Sequence, residues 1–327
     1  MVSYTTIQSA SVKIGVLAMV LWLYPLSGCE NQLQGRDCNF DADCASGECL
    51  PTGVCSPLDD TDDPADSGDT DTDVDGCVPN HDGIITAAET PIQAGFEAKF
   101  RVTKNVTDFS SAPDCTSGSC SWDLVDVPGT TKNEMFTTKS LSGTWFEDID
   151  AFAHATHYTS VGMFKLNMVV DLCSQEQLAI YRKDDDALWL LGMVSSEKDG
   201  GTQLIYNPPV DILRFPIEAG KTWSTNTTAS GPLCGSWVDY DIDQTYTSTV
   251  DKDGSLETPY GDFPEVQRVN TLVERHIGVG VMPALMRTHT LMAECFTSVG
   301  VILSEEGVEN ADFDDVLEVR RLTLLTD

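Results

Sequence analysis

From Cys77 onward, apolar and polar residues alternate along the chain with a period of two. Successive side chains of a β-strand point to opposite faces of the sheet, so this period predicts strands with one face in a core and the other in water. Turn signals such as Asp253-Gly254 separate the alternating runs, and no long stretch has a helical period. The sequence therefore predicts an all-β domain over 77–327, an antiparallel curved sheet that forms a sandwich or a partly open barrel. The apolar positions of three predicted strands are Phe96, Ala98, Phe100 and Val102; Phe164, Leu166, Met168, Val170 and Leu172; and Val238, Tyr240, Ile242, Tyr246 and Val250.

The N-terminus has the pattern of a bacterial lipoprotein signal peptide over 1–28. An apolar stretch begins near Ile14, and it is too short to cross comfortably a hydrocarbon core that needs about 20 residues. Small residues at its end would admit a signal peptidase, and the following thiol can accept a diacylglyceryl group. A plain secretory signal is the alternative. The cleavage motif and the lipidation site are Leu26, Ser27, Gly28 and Cys29.

The lipid would anchor the protein in the bacterial cell envelope, at the outer membrane or the cell surface, and the membrane is thus one predicted partner.

The module at 29–55 contains four further cysteines and is too short for a hydrophobic core, so disulfides must stabilise it. Its run from Asp41 to Cys49 resembles the small Cys-rich modules of myxobacterial-type surface lipoproteins and the Dickkopf N-terminal region. This resemblance implies a compact spacer or recognition module without catalytic residues. Residues 56–76 are almost all Asp, Thr, Pro, Ser and Gly, a composition that predicts a disordered acidic linker.

The chain has eleven cysteines, and ten remain if Cys29 carries lipid. An even number in an exported chain predicts five disulfides, and the absence of tight Cys-x-x-Cys pairs argues against zinc. Cys115 and Cys120 are close enough in sequence to form a local pair, while the other connectivities stay open. The predicted disulfide cysteines are Cys38, Cys44, Cys49, Cys55, Cys77, Cys115, Cys120, Cys173, Cys234 and Cys295.

The chain is strongly acidic, with 52 Asp and Glu against 19 Lys and Arg and a net charge of −33. This charge excludes nucleic acid as a partner, because a binder needs a basic face. Carboxylates also bind hard cations, and the segment 78–89 overlays an EF-hand calcium loop, although Val78 occupies the first position, where Asp is normal. A plain turn followed by a short helical turn is the alternative, so calcium is the one cofactor considered. The candidate ligands are Asn80, Asp82, Ile84, Thr86 and Glu89.

Other catalytic patterns are scarce. His154 and His157 lie near Glu147, Asp148 and Asp150 and could ligate a metal on a helix, although histidines near acidic residues more often lie in a solvated surface turn. The sequence has no Gly-x-Ser-x-Gly elbow and no phosphate-binding glycine loop. We therefore expect a protein that is not an enzyme, and a metal-dependent hydrolase is the least favoured hypothesis.

The leading hypothesis is a cell-surface binding or scaffold lipoprotein whose protein or lipid ligand is unknown. The alternative is a periplasmic carrier of a hydrophobic or lipid ligand. Two segments, 259–264 with the sequence Pro-Tyr-Gly-Asp-Phe-Pro and 298–301 with Ser-Val-Gly-Val, resemble uncharacterised periplasmic β-sheet proteins. Some of those are related in shape to the LolA and LolB lipoprotein carriers, which implies a curved sheet with an apolar concave face. The residues expected to line a carrier cavity are Phe164, Leu166, Met168 and Leu213.

Overall fold

A computed structural model describes residues 77–116, 119–160, 175–236, 238–276 and 283–323. The predicted signal peptide, the Cys-rich module and the acidic linker lie outside these ranges, as does the expected strand from Phe164 to Leu172. Within the described part of the chain, no helix combines the length and the apolar character that a membrane crossing requires.

The described residues form thirteen β-strands and two short 3₁₀ helices, Asp150–Phe152 and Lys198–Gly200. The strands are β1 Glu97–Val106, β2 Cys120–Asp123, β3 Thr131–Lys139, β4 His157–Ser160, β5 Gln177–Lys183, β6 Ala187–Ser195, β7 Gln203–Arg214, β8 Thr222–Pro232, β9 Asp239–Glu257, β10 Asp262–His276, β11 Ala284–Met292, β12 Ser298–Ser304 and β13 Val316–Leu322.

The sheet closes on itself. Its strand order is β10-β11-β12-β13-β1-β3-β4-β5-β6-β7-β8-β9, and β9 pairs with β10 again, so these twelve strands form a ring. All twelve pairings are antiparallel, and most join strands that are consecutive in sequence, as expected when short connections link neighbours. β2 lies outside the ring and pairs in parallel with the end of β9. The predicted all-β antiparallel fold is confirmed, and its form is a closed barrel.

The predicted alternation is accurate in β9 except at its start. Ile242, Tyr246 and Val250 are buried, and Asp241 in the same strand is exposed. Val238 was placed in the core by its spacing, but it is 48% exposed because it precedes the first paired residue of the strand.

The segment before β1 closes one end of the barrel. Ile85 exchanges backbone hydrogen bonds with Ile217 at 2.9 and 2.8 Å, and its side chain is 2% exposed. Ile85 and Ile92 pack in one apolar cluster with Leu188 at the start of β6 and Leu213 at the end of β7. The start of one strand and the end of its antiparallel neighbour lie at the same end of the barrel, so this cluster closes that end. Other residues surround the opposite end.

Candidate functional site

The interior of the barrel is wider than its side chains fill. Eight strands enclose a space that side chains just fill, and larger barrels enclose cavities. Two adjoining cavities remain here, of about 410 and 400 Å³. Both belong to the range of about 300–1,000 Å³ that is usual for small-molecule sites. The residues that line both cavities are Tyr181, Ile212, Thr288, Leu303, Glu318 and Arg320.

The first cavity, which we call the basal cavity, lies against the sealed end of the barrel. Ile92 of the sealing segment lines it, together with Leu213, whose role as a cavity-lining residue the sequence predicted. Phe136 contributes an aromatic wall, and its ring packs edge-on against Phe100 with 6.4 Å between ring centroids. Apart from the Glu318 and Arg320 that it shares with its neighbour, this lining carries no charge. The basal cavity therefore suits the apolar part of a ligand.

The second cavity, which we call the charged cavity, lies toward the opposite end of the barrel. Its lining includes three cations, Lys104, Arg275 and Arg320, and one carboxylate, Glu318. Lys104 and Glu318 face each other across β1 and β13, with 3.4 Å between Nζ and Oε2, and Arg320 forms a second ion pair with the same carboxylate. Lys104 also lies 3.9 Å from Glu134. Three of the four charged residues in this lining are basic, in a chain that is acidic overall.

Three tyrosines add polar groups to this interior: Tyr206 and Tyr246 are buried, and Tyr181 is half-buried. Burial raises the pKa of Tyr181 to about 12, and burial likewise raises the pKa values of Tyr206 and Tyr246. The Tyr246 hydroxyl donates a hydrogen bond of 2.8 Å to the Gln244 side chain. The phenols therefore stay neutral at physiological pH and cannot act as bases.

A third cavity, of about 600 Å³, borders the basal cavity at β3, β4 and β5. Its lining contains three carboxylates, Glu134, Glu176 and Glu197, against the two cations Lys139 and Arg320. This balance of charge is the reverse of that in the charged cavity. It disfavours anions, so the two regions differ in the ligands that they can hold.

The two histidines considered as metal ligands are not equivalent. His157 lies in β4 and is fully buried, with its ring stacked on Tyr181 at 5.5 Å and its Nδ1 2.9 Å from the Thr156 hydroxyl. His154 is exposed in the turn before that strand. Among the described residues, no three His, Cys, Asp or Glu side chains converge as a metal-binding group. The helix on which both histidines could ligate one metal does not form.

The candidate calcium loop has the hydrogen bonds of a turn followed by a capping box. The Asn80 side-chain oxygen accepts from the Asp82 amide at 2.9 Å, and the Asp82 carboxylate accepts from the Ile84 amide at 2.8 Å. Glu89 accepts from the Thr86 amide at 2.8 Å and from the Asn80 side-chain amide at 3.1 Å, so both of its oxygens have protein partners. Calcium binding at these residues stays a prediction.

Two disulfides join pairs of described residues. Cys115 and Cys120 form the local pair, and Cys77 is bonded to Cys295, which ties the start of the domain to the connection between β11 and β12. Cys234 is also disulfide-bonded. The other predicted disulfide cysteines, and Cys29 with its cleavage motif, lie outside the described residues.

The charged residues of the interior do not stand out in the sequence. Lys104, Glu318 and Arg320 were not singled out, because a period of two assigns alternate charged side chains to water. One signal was usable. In a strand near the end of the chain, Val319 lies between two charged residues, and the polar side chains are spaced as closely as the apolar ones. Such a strand can have both faces covered.

Fold and site together define a closed twelve-stranded antiparallel barrel with an amphipathic interior. Comparison of the chain with protein-family models, with curated proteins and with solved structures finds no match. Function must therefore be inferred from the geometry and charge of this interior.

Proposed function

We propose that the protein is a non-enzymatic carrier that binds a small amphipathic molecule inside its barrel. The supporting observation is the basal cavity of about 410 Å³, which the surrounding side chains leave open. A scaffold that works only through its outer surface has no need of such a space, because closely packed interiors are more stable. The predicted lipid on Cys29 is part of the same proposal and would hold the carrier at the cell envelope.

The basal cavity offers enough apolar contact for useful affinity. Each buried methylene group contributes about 0.8 kcal/mol, so about ten of them contribute about 8 kcal/mol. This corresponds to a Kd near the micromolar range before the entropic cost of association is subtracted. An alkyl chain of this length would therefore supply a large part of the binding free energy, and no reaction has to be invoked.

Displacement of a neutral, environment-sensitive dye from the full, oxidised chain tests the proposal. The variant Thr288→Phe places a ring at a position that lines both cavities, and we expect it to weaken dye binding at least tenfold. Thr247→Phe is the matched control, because Thr247 is exposed on the outer face of β9. The control should bind the dye like the unmodified chain.

Two results would contradict the proposal. One is that the unmodified chain does not bind the dye or any amphiphile that competes with it. The other is that Thr288→Phe binds as tightly as the control. Either result would favour the cell-surface scaffold instead.

A further inference from the structure

The third cavity, of about 600 Å³, adjoins the basal cavity and differs from it in chemistry. It extends from the barrel interior to side chains of the apolar cluster beside β4 and β5, among them Phe146 and Leu178. A ligand with its tail in the basal cavity can therefore place its head group in the third cavity. The residues that line both cavities are Phe100, Phe136, Thr159, Ser160 and Arg320.

Aromatic side chains form one wall of the third cavity. The Trp145 ring packs edge-on against Phe146, with 5.5 Å between ring centroids, and Phe146 packs edge-on against Tyr158 at 5.2 Å. The indole N–H of Trp145 donates a hydrogen bond of 3.1 Å to the Ser195 carbonyl, which orients the ring. Trp145 and Tyr158 are only half-buried, so part of this aromatic surface is available for contact with a ligand.

Hydrogen-bond donors and acceptors line the rest of the third cavity. The carboxylates of Glu176 and Glu197 are solvent-exposed, and within the described part of the chain neither of them has an ion-pair partner. Lys139 and Arg320 supply N–H donors to the same lining. A head group that both donates and accepts hydrogen bonds can therefore use the two kinds of group together.

Other head groups use only part of this lining. An acid would approach three carboxylates, those of Glu134, Glu176 and Glu197, and a cation would approach Lys139 and Arg320. A single hydroxyl group would leave the aromatic wall without contact. A neutral sugar has several hydroxyl groups that donate and accept, and its ring carries C–H groups that can pack on an aromatic face.

We infer that the ligand is a glycolipid-like amphiphile, with a neutral saccharide head group against Trp145 and Tyr158 in the third cavity and an alkyl tail in the basal cavity. This inference rests on the proposed carrier function and specifies the head group of the same ligand.

The test compares decyl maltoside, decanol, decanoate and decyltrimethylammonium as competitors of the neutral dye, each below the concentration at which it forms micelles. All four have the same tail. We expect decyl maltoside to displace the dye at a concentration at least tenfold lower than decanol does, because one hydrogen bond to a charged group is worth about tenfold in affinity or more. The acid and the ammonium compound should bind less tightly than the maltoside.

In Trp145→Leu the preference for decyl maltoside over decanol should fall several-fold, while the affinities for decanol and the dye are retained. Trp189→Leu is the matched control. Trp189 is also half-buried and donates a hydrogen bond of 2.9 Å to Asp184, but it lines none of the three cavities. Glu176→Gln, at an exposed position that the fold should tolerate, should reduce the same preference.

Equal displacement by decyl maltoside and decanol would overturn the saccharide head group and leave the carrier function in place. Tightest binding of decanoate or of the ammonium compound would overturn it as well, and so would an unchanged preference in both Trp145→Leu and Glu176→Gln. If the unmodified chain binds neither the dye nor any of the four amphiphiles, the carrier function fails and the inference fails with it.

Discussion

Replacement of His157 by Asn should remove a specific loss of stability on acidification. The imidazole is fully buried against Tyr181, and Thr156 is the hydrogen-bonding partner of its Nδ1. Burial, and then the charge of Lys183, lowers the pKa of His157 to about 4. The folded chain therefore resists protonation of this ring, whereas the unfolded chain accepts a proton readily.

The magnitude follows from the difference between the two states. The pKa is about 6.5 in the unfolded chain and about 4 in the folded chain, so between these values the unfolded state binds more protons. The free energy of unfolding is unaffected above pH 6.5 and falls as the pH drops through this window. The loss due to His157 is about 2 kcal/mol at pH 5 and about 3 kcal/mol at pH 4.

Urea unfolding of both proteins at pH 7, 6, 5 and 4 measures this effect. His157→Asn loses the ring contact and should be the less stable protein at pH 7, but the gap to the unmodified chain should narrow by about 3 kcal/mol at pH 4. His154→Asn, at an exposed position, is the control and should keep a constant gap. A gap that stays constant for His157→Asn would refute the argument from burial.

Three further variants test the disulfides and the packing of the barrel. Replacing Cys77 and Cys295 with Ser should cost about 5 kcal/mol of unfolding free energy, against about 2 kcal/mol for Cys115 and Cys120, because the bonds span 218 and 5 residues of sequence. Urea unfolding of the two double variants gives the order, and equal losses would contradict it. Gly192→Ala would place a Cβ 2.5 Å from a carbonyl oxygen and 2.6 Å from an aromatic carbon, and should cost about 1–3 kcal/mol. An unchanged Tm would show that the barrel wall accommodates the methyl group.

The strands were predictable because one face of most of them meets apolar neighbours, and this leaves a period of two in the sequence. Closure of the sheet into a barrel was not predictable. It depends on the pairing of β13 with β1, which are separated by most of the domain, and on the registers that all twelve strands adopt together. No local pattern carries that information, so a sandwich and a partly open barrel were equally consistent with the same residues.

The interior site was predictable only in part. Leu213 was expected to line a cavity and does, because an apolar residue in a curved sheet belongs on its concave face. Glu318 and Arg320 were not found, because β13 is covered on both sides. Val319 and Arg321 face the other way and are 0% and 2% exposed, so the polar face of this strand could not be the face in water. When both faces of a strand are buried, the alternation still separates its side chains into two sets. It does not show that the polar set is also shielded from solvent.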